Sequence, residues 1–214
     1  MAITWTLAEI RAKVREITGE LTTEDIEDAD LNNRINDFYR NIFPLEVYVA
    51  EFEDWFTTDF TDGDGEYDVS QDYLRLETPM TILDSDDVYS IPKFYQDKDE
   101  FFHLYPEEVT PTEARPAAVL LYGNILYPRP VPDASYTFRA ACIKKPEALT
   151  ESTAPVDVRW GPCIAYGTAI EMKMEDMDRA AAEELAPIYE YFQKMVSQKK
   201  LVQKAINQRA TPRF

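Results

Sequence analysis

A chain of 214 residues, of which 45% are hydrophobic and 13% aromatic, can bury a core in one domain or in two joined ones. Its formal net charge of −18 excludes a large surface that grips phosphate backbones, because such binding depends on clustered Lys and Arg. No apolar run approaches the roughly 20 residues that span a bilayer, and the charged N-terminal segment lacks the apolar core of an export signal. We therefore expect a folded cytosolic product that does not contact a membrane.

The first fifty residues predict two helices. Thr6 and Glu9 form a T-x-x-E capping box, and Gly19 can end the first helix in a left-handed conformation. A second helix is expected to start at residues 22–23 and to end at Pro44, because proline lacks a backbone N–H. The two apolar stripes are Leu7, Ile10, Val14 and Ile17, and Leu31, Ile35, Phe38 and Ile42.

The middle of the chain has short apolar runs broken by Pro, Gly and Asp, which is typical of strands and turns. Gly123-Asn124, between the runs AVLLY and ILYP, predicts a tight two-residue hairpin. Residues 136–142 alternate in polarity, as a half-buried strand does. We therefore expect a β-rich insertion over residues 51–150.

An acidic stretch in this insertion raises the question of a calcium loop. Asp62, Asp64 and Glu66 alternate with glycines, as the first ligands of an EF-hand do. Counted from Asp62, however, Tyr67 takes the place of the obligatory Gly, and Tyr73 takes that of the closing bidentate acid. The stretch is therefore interpreted as the turn of a β-hairpin, and no metal site is expected.

The final segment predicts two more helices, at about residues 161–176 and from about residue 178 onward. The buried stripe of the last helix is expected to include Leu185, Ile188, Phe192 and Met195. The predicted fold class is α+β: a helical bundle formed by the N- and C-terminal helices, with the β-rich insertion between them. The expected segments are N-terminal helices (1–50), β-rich insertion (51–150), C-terminal helices (151–196) and a basic C-terminal tail (197–214).

The charge is unevenly placed along the chain. Between Glu51 and Glu113 there are nineteen acidic residues and three basic ones, whereas no acidic residue follows Glu190. The six basic residues after that point are Lys194, Lys199, Lys200, Lys204, Arg209 and Arg213. Such an asymmetry indicates distinct interaction surfaces.

Catalytic chemistry has little support in the sequence. His103 is the single histidine, and Cys142 and Cys163 are too few for a disulfide framework or a zinc site. No Gly-rich phosphate loop, G-x-S-x-G elbow or H-E-x-x-H motif is present. We therefore expect no enzyme, no catalytic residue and no cofactor.

Five stretches occur in this order along the chain: LAEIRAKVREITGE, LNNRINDFYRNIFPLEV, FTTDFTDGDGEYDVSQDYLRL, LLYGNILYPRPVPDASYTFRA and WGPCIAYGTAIEMKMEDMDRAAAEELAPIYEYF. Together they resemble the head-to-tail adaptor (connector) proteins of tailed bacteriophages. The resemblance lies in the layout of hydrophobic pattern and turns, and it covers most of the chain.

The resemblance implies a structural, non-enzymatic virion protein that is made in the host cytoplasm and resides in the neck. Such adaptors form a homo-oligomeric ring, typically of about twelve copies, between the portal protein and the next tail or nozzle protein. Viral DNA passes through the lumen without specific binding, and carboxylates there would repel phosphate. Because the C-terminal segment of these adaptors commonly docks into clefts of the portal, the implied portal-binding residues are Lys199, Lys200, Leu201, Lys204, Ile206, Arg209, Arg213 and Phe214.

Three other interpretations stay open. A tail-completion or tail-terminator subunit would also be acidic and ring-forming, but it would bind tail proteins instead of the portal. A DNA mimic would use the acidity to block nucleic-acid-binding proteins, although the basic tail argues against it. A carbohydrate-binding or hydrolytic β-domain on a helical stalk is favoured by the clustered aromatic residues Tyr89, Phe94, Tyr95, Phe101, Phe102 and Tyr105.

Overall fold

The computed structural model describes residues 5–19, 22–47, 49–85, 88–106 and 112–209, apart from the side chains of residues 198–209. The chain divides into a helical unit, Met1–Phe52 with Lys145–Phe214, and a β unit, Glu53–Lys144. The helices are α1 (Leu7–Thr18), α2 (Asp28–Asp37), α3 (Phe43–Val47), α4 (Lys98–Leu104), α5 (Gly161–Glu175) and α6 (Arg179–Arg209).

Helix α1 begins and ends where the sequence predicts. Thr6 donates its backbone N–H to Glu9 Oε2 at 2.7 Å, which confirms the capping box. Gly19 ends the helix with a φ of 81° and donates its N–H to the Arg15 carbonyl. Leu7, Ile10 and Val14 are buried, so the predicted apolar stripe faces the core.

Helix α2 begins at Asp28, later than residues 22–23, so that prediction is wrong. Thr22 donates its N–H (3.1 Å) and its hydroxyl (2.8 Å) to Asp25 Oδ2, which makes a turn instead of a first helical turn. The buried Arg15 guanidinium holds this turn through the Thr22 carbonyl at 2.6 Å and the Ile26 carbonyl at 2.7 Å. It also donates to Asp28 Oδ1 at 2.7 Å, which ties the turn to the start of α2.

Pro44 does not end the second helical segment, contrary to the prediction. Residues Phe38–Ile42 form a π-helical turn, closed by the Phe43 N–H donating to the Phe38 carbonyl, and α3 continues through the proline. A wider turn relieves the clash between a proline ring and the carbonyls before it. The chain therefore stays helical up to Val47.

Helix α5 is central to the helical unit and contacts α1, α2 and α6. Glycine allows close packing there, because a Cβ on Gly167 would lie 2.0 Å from Phe38 Cζ. At Gly161 a Cβ would lie 2.3 Å from Trp5 Cγ. The buried apolar residues of this unit include Ile10, Val14, Leu31, Ile35, Phe38, Phe43, Trp160, Ile164 and Ala169.

The predicted buried stripe of α6 mixes two faces of the helix. Val196 is buried, and the Phe192 ring stacks on Tyr166 with 5.5 Å between ring centroids. Ile188 and Met195, which the prediction places in the same stripe, are instead 40% and 46% exposed. Their spacing of seven residues puts them on one face of the helix, distinct from the face that carries Val196.

The described part of the β unit contains two four-stranded sheets. In the first, the strand order is β1 (Glu53–Phe60), β8 (Tyr136–Lys144), β3 (Tyr73–Leu83) and β4 (Tyr89–Ser90). In the second, it is β2 (Tyr67–Asp68), β7 (Ile125–Arg129), β6 (Ala118–Tyr122) and β5 (Lys93–Tyr95). Neighbouring strands are antiparallel except β5 and β6.

Two predictions for the middle of the chain are confirmed. Gly123 and Asn124 have φ values of 61° and 64°, as a type I′ turn requires, and they join β6 to β7. Alternate residues of β8 are buried, and the Phe138 ring stacks on Phe60 at 5.2 Å. Helices from both ends of the chain form one unit and sheets from the middle form the other, which confirms the α+β fold.

Candidate interaction surfaces

The acidic turn at residues 61–66 joins strands of different sheets, so the predicted β-hairpin is wrong. Strand β1 pairs with β8, whereas β2 pairs with β7. The hydroxyl of Tyr67 stabilises this turn: it accepts from the Thr61 N–H at 2.7 Å. It also donates toward the carbonyls of Thr61 and Asp64, each at 3.0 Å. The turn therefore folds around one buried tyrosine instead of closing a strand pair.

Metal and thiol chemistry find little support in the described residues. No group of three or more His, Cys, Asp or Glu side chains among them could hold a metal ion. Cys142 and Cys163 are buried free thiols, and burial raises the pKa of Cys163 to about 12, so this thiol stays protonated. His103 lies exposed on α4. None of the described helices is both long and apolar enough to span a membrane.

Two concave regions are formed by the described residues. One, of about 420 Å³, lies in the β unit and has Tyr105 and Arg129 in its wall. The other, of about 620 Å³, is an acidic groove in the helical unit, between residues of α2 and α5 such as Asp37 and Glu175. The described residues that line them include no Ser, Cys or His.

The aromatic residues that favour a sugar-binding interpretation are mostly packed inside the β unit. Tyr95 and Phe101 are buried and lie 5.4 Å apart, and Tyr105 lies 5.2 Å from Phe101. Phe102 contacts a ring of β7, and Phe94 packs against the core. Tyr89 differs from these, because it is 64% exposed. The set therefore forms packing contacts and not a stacking platform for sugars.

Tyr89 belongs to an exposed apolar patch at the edge of the first sheet. We call Val88, Tyr89 and Ile91 the β4 patch; they are 51%, 64% and 81% exposed. Arg115 fixes this segment by donating to the Val88 carbonyl at 2.6 Å and to Asp84 Oδ2 at 2.9 Å. The patch was not predicted from the sequence, although Ile91 stands between Ser90 and Pro92, which is an unusual place for an apolar side chain.

A second exposed apolar surface lies on the last helix. We call Ile188, Tyr191 and Met195 the α6 stripe; they are 40%, 60% and 46% exposed. Positions i, i+3 and i+7 share one face of a helix, so the three side chains form a continuous strip. Buried residues of a helix repeat at the same spacing, so the sequence pattern alone did not separate these three residues from the buried ones of α6.

Helix α6 is anchored to α3 close to residue 197. Glu46 accepts hydrogen bonds from the Tyr189 hydroxyl and from Gln193 Nε2, the latter at 3.2 Å. Burial, and then the bond to Glu46, raise the pKa of Tyr189 well above its usual range, so this hydroxyl remains a donor. One turn later, Ser197 Oγ donates to the Val47 carbonyl at 3.5 Å. These contacts hold the described part of α6 against α3.

Acidic side chains are also concentrated beside this anchor. Glu171, on α5, is half-buried. Burial, and then the charges of Asp37, Glu46 and Glu175, raise the pKa of Glu171 to about 7. The charge of this carboxyl therefore changes near neutral pH.

The predicted portal-binding residues lie at the end of the chain. The backbone of α6 is helical through residue 209, but the side chains from residue 198 onward are outside the described residues. This applies to Lys199, Lys200, Leu201, Lys204, Ile206 and Arg209. Arg213 and Phe214 lie wholly outside the described residues. Their role in binding the portal stays a prediction.

Comparison with known proteins identifies the family. A search among curated proteins found no match. The family model described as "SU10 adaptor protein" matches residues 5–213, which include both units described above. This agrees with the resemblance to phage head-to-tail adaptors and with a structural, non-enzymatic protein. The chain therefore belongs to the SU10 adaptor protein family.

Proposed function

We propose that copies of this chain assemble into a ring in the neck of a phage virion, between the portal protein and the next tail or nozzle protein. The family match over nearly the whole chain is the observation that carries this proposal. Identical subunits that pack head to tail close into a ring, here of about twelve copies. Assembly takes place in the host cytoplasm, and viral DNA later passes through the lumen.

The charge distribution supports a lumen that does not bind DNA. The β unit contains nineteen acidic and seven basic residues. Carboxylates at the wall of a channel repel the phosphate backbone, so the genome can slide without being held. The proposal therefore expects no measurable affinity of the free protein for double-stranded DNA at physiological salt.

The basic C-terminal segment is proposed to dock on the portal. Helix α6 continues for twelve residues past Ser197, the last residue whose side-chain contact is described, and this corresponds to about 18 Å of helix. The segment after Glu190 carries six basic residues and no acidic one. A helix of this length and charge can reach an acidic cleft on a neighbouring ring.

Mixing the protein with the neighbouring portal and imaging the mixture by negative-stain electron microscopy tests the proposal. The intact chain should add a ring to one end of the portal. A chain that ends after Ser197 keeps the anchor of α6 to α3, yet it should bind the portal at least about tenfold more weakly.

Charge variants distinguish the contribution of the basic side chains to docking from the effect of shortening the helix. The triple variant Lys199→Gln, Lys200→Gln and Lys204→Gln should also weaken portal binding, whereas Lys93→Gln, Lys98→Gln and Lys144→Gln in the β unit should not. Normal portal assembly by the shortened chain would refute the docking role of the tail. Failure of the intact chain to form a ring on any portal or tail component would refute the function itself.

A further inference from the structure

The chain passes between its two units twice, and both crossings are short. The first lies between Phe52 and Glu53, where the 3₁₀ turn Ala50–Phe52 is followed directly by β1. The second lies between Lys144, the last residue of β8, and Lys145. Because the elements follow one another so closely, any movement between the units has to occur in a few backbone torsions.

The β unit holds the two crossings side by side. Strands β1 and β8 are antiparallel neighbours, and Glu53 is the partner of Ile143 in their register. Directly opposite residues of such a pair have Cα atoms about 4.5–5.5 Å apart. Lys144 Nζ also lies 3.6 Å from Asp54 Oδ2. On the side of the β unit, the crossings therefore start from one narrow attachment whose two strands are hydrogen-bonded to each other.

The helical unit holds the first crossing at Phe52. This side chain is buried, and its ring centroid lies 5.1 Å from that of Trp160 and 6.2 Å from that of Phe43. The Phe52 N–H donates to the Val49 carbonyl at 3.2 Å. A buried aromatic side chain cannot change its place without opening the core, so Phe52 stays with the helical unit.

The helical unit holds the second crossing through two polar side chains four residues apart. Arg40 Nε donates to the Pro146 carbonyl at 3.1 Å. Asn36 makes two bonds with the backbone of Leu149: it donates to the carbonyl at 3.1 Å and accepts from the N–H at 2.6 Å. Leu149 itself is buried. We call residues 146–149 the strap, because these contacts hold the segment along its length.

We propose that the two crossings together act as one hinge, on which each unit can turn while its own packing is kept. Between the anchored residues lie only the Phe52–Glu53 bond and Lys145. Rotation about the line that joins two short, adjacent connections is the easiest, because other rotations would stretch or shear at least one of them. Hinges absorb a change of orientation in a few backbone angles. The inference goes beyond the proposed ring and applies to the single chain.

Distances between spin labels, measured by double electron–electron resonance, test the hinge. The variant Asp99→Cys, Glu184→Cys carries one label on α4 of the β unit and one on α6 of the helical unit. Both positions are exposed, whereas Cys142 and Cys163 are buried and should take up no label. This pair should give a distance distribution at least about twice as broad as that of a pair within one unit.

Matched pairs within one unit share one label with the test pair. Glu16→Cys, Glu184→Cys lies in the helical unit, and Thr57→Cys, Asp99→Cys lies in the β unit. All of these positions are exposed. Both control pairs should give narrow distributions, because they report only the motion of the labels within a folded unit. A distribution between the units that is as narrow as these would overturn the hinge.

Variants of the strap and of its start locate the motion. Asn36→Ala removes both bonds to Leu149, so the second connection becomes longer and the distribution between the units should broaden. Asn41→Ala is the matched control, since Asn41 Nδ2 donates to Asp37 Oδ1 at 2.5 Å and not to the strap, and it should leave the distribution unchanged.

Inserting two glycines after Lys144 lengthens the same connection and leaves every side-chain contact of the helical unit in place. It should therefore broaden the distribution even if Asn36→Ala does not fold. Broadening by Asn41→Ala, or no broadening by the glycine insertion, would overturn the hinge, because the freedom of the units would then not reside in the crossings.

Discussion

In each unit an arginine side chain stabilises a loop, but the two arginines differ in their exposure to solvent. In the helical unit, the Arg15 side chain is 10% exposed and binds two backbone carbonyls and Asp28. In the β unit, the Arg115 side chain is 31% exposed and binds two carbonyls, Ser90 and Asp84. Water can replace the hydrogen bonds of an exposed arginine more easily than those of a buried one. The stability of the helical unit should therefore depend more on Arg15 than the stability of the β unit depends on Arg115. We therefore expect replacement of Arg15 to destabilise its unit more than replacement of Arg115 does.

The largest expected effect is the loss of stability when the hydrogen bonds of Arg15 are removed. Arg15→Met removes the donor to the carbonyls of Thr22 and Ile26 and leaves Asp28 with its longer contact to Arg11, at 3.5 Å, which should lower the free energy of unfolding by about 3 kcal/mol. Urea unfolding followed by circular dichroism measures it. The matched variant Arg115→Met should cost about 1 kcal/mol. Equal losses of stability in the two variants would contradict the expected difference between the units.

The close packing of α5 should give the next largest effect. Gly167→Ala places a Cβ 2.0 Å from the buried Phe38 ring, which should cost about 2 kcal/mol although alanine favours a helix. Thermal unfolding reports the loss. The double variant Gly167→Ala, Phe38→Leu should be more stable than the sum of the two single effects predicts. If the effects of the two single variants simply added, the contact between positions 167 and 38 would not limit the packing of α5.

The tyrosine that shapes the acidic turn should matter less. Tyr67→Phe removes the hydroxyl that contacts the Thr61 N–H and the carbonyls of Thr61 and Asp64, at a cost of about 1 kcal/mol. Amide hydrogen exchange should increase at Thr61 while β1 and β8 stay protected. As a control, Tyr122→Phe removes a hydroxyl at an exposed position and should change neither quantity. Increased exchange throughout β1 would contradict a local role for Tyr67.

The smallest effect is a dependence on pH that is confined to the helical unit. The pKa of Glu171 is about 7 in the folded chain and 4.5 without the environment of the fold. At pH values between 4.5 and about 7, Glu171 holds a proton in the folded state but not in the unfolded state. The free energy of unfolding therefore falls as pH rises from about 4.5 to about 7. Glu171→Gln should abolish this loss and stabilise the protein by about 1 kcal/mol at pH 8, after allowance for solvent screening.

Comparing unfolding at pH 4 and pH 8 tests this prediction. At pH 4 the variant and the unchanged chain should be about equally stable, because Glu171 is protonated in both states there. Glu184→Gln, on the exposed surface of α6, removes an acid without a comparable environment and should leave the pH profile unchanged. A stabilising effect of Glu171→Gln that persists at pH 4 would show that the buried charge of Glu171 is not its cause.

The sequence predicted those features that depend on a few neighbouring residues. The capping box of Thr6 and Glu9, the Gly19 stop and the type I′ turn at Gly123-Asn124 are local, and all three are confirmed. The α+β arrangement follows from changes in hydrophobic period along the chain, and it is confirmed as well.

Features that depend on distant residues were not predictable in this way. The turn at residues 61–66 looks like a hairpin locally, but β1 and β2 each find better partners elsewhere in the chain, in β8 and β7. The α6 stripe could not be distinguished from a buried stripe by spacing alone, since both repeat every three or four residues. The interaction surfaces were missed for the same reason: an apolar residue in the sequence carries no sign of whether its own chain covers it.

The π-helical turn before Pro44 has a consequence for the phase of the helix around it. Because the wide turn accommodates one extra residue, each residue after it takes the angular position that its predecessor would have in an uninterrupted α-helix. An inward row extrapolated from Leu31 and Ile35 arrives at Ile42, yet Phe43 is the residue that is fully buried. Deleting one residue within the turn would turn it into an ordinary α-helical turn and keep Phe43 on the inward face, now one position earlier in the chain. Relatives that lack the insertion would therefore need their large aromatic side chain one position earlier to fill the same space.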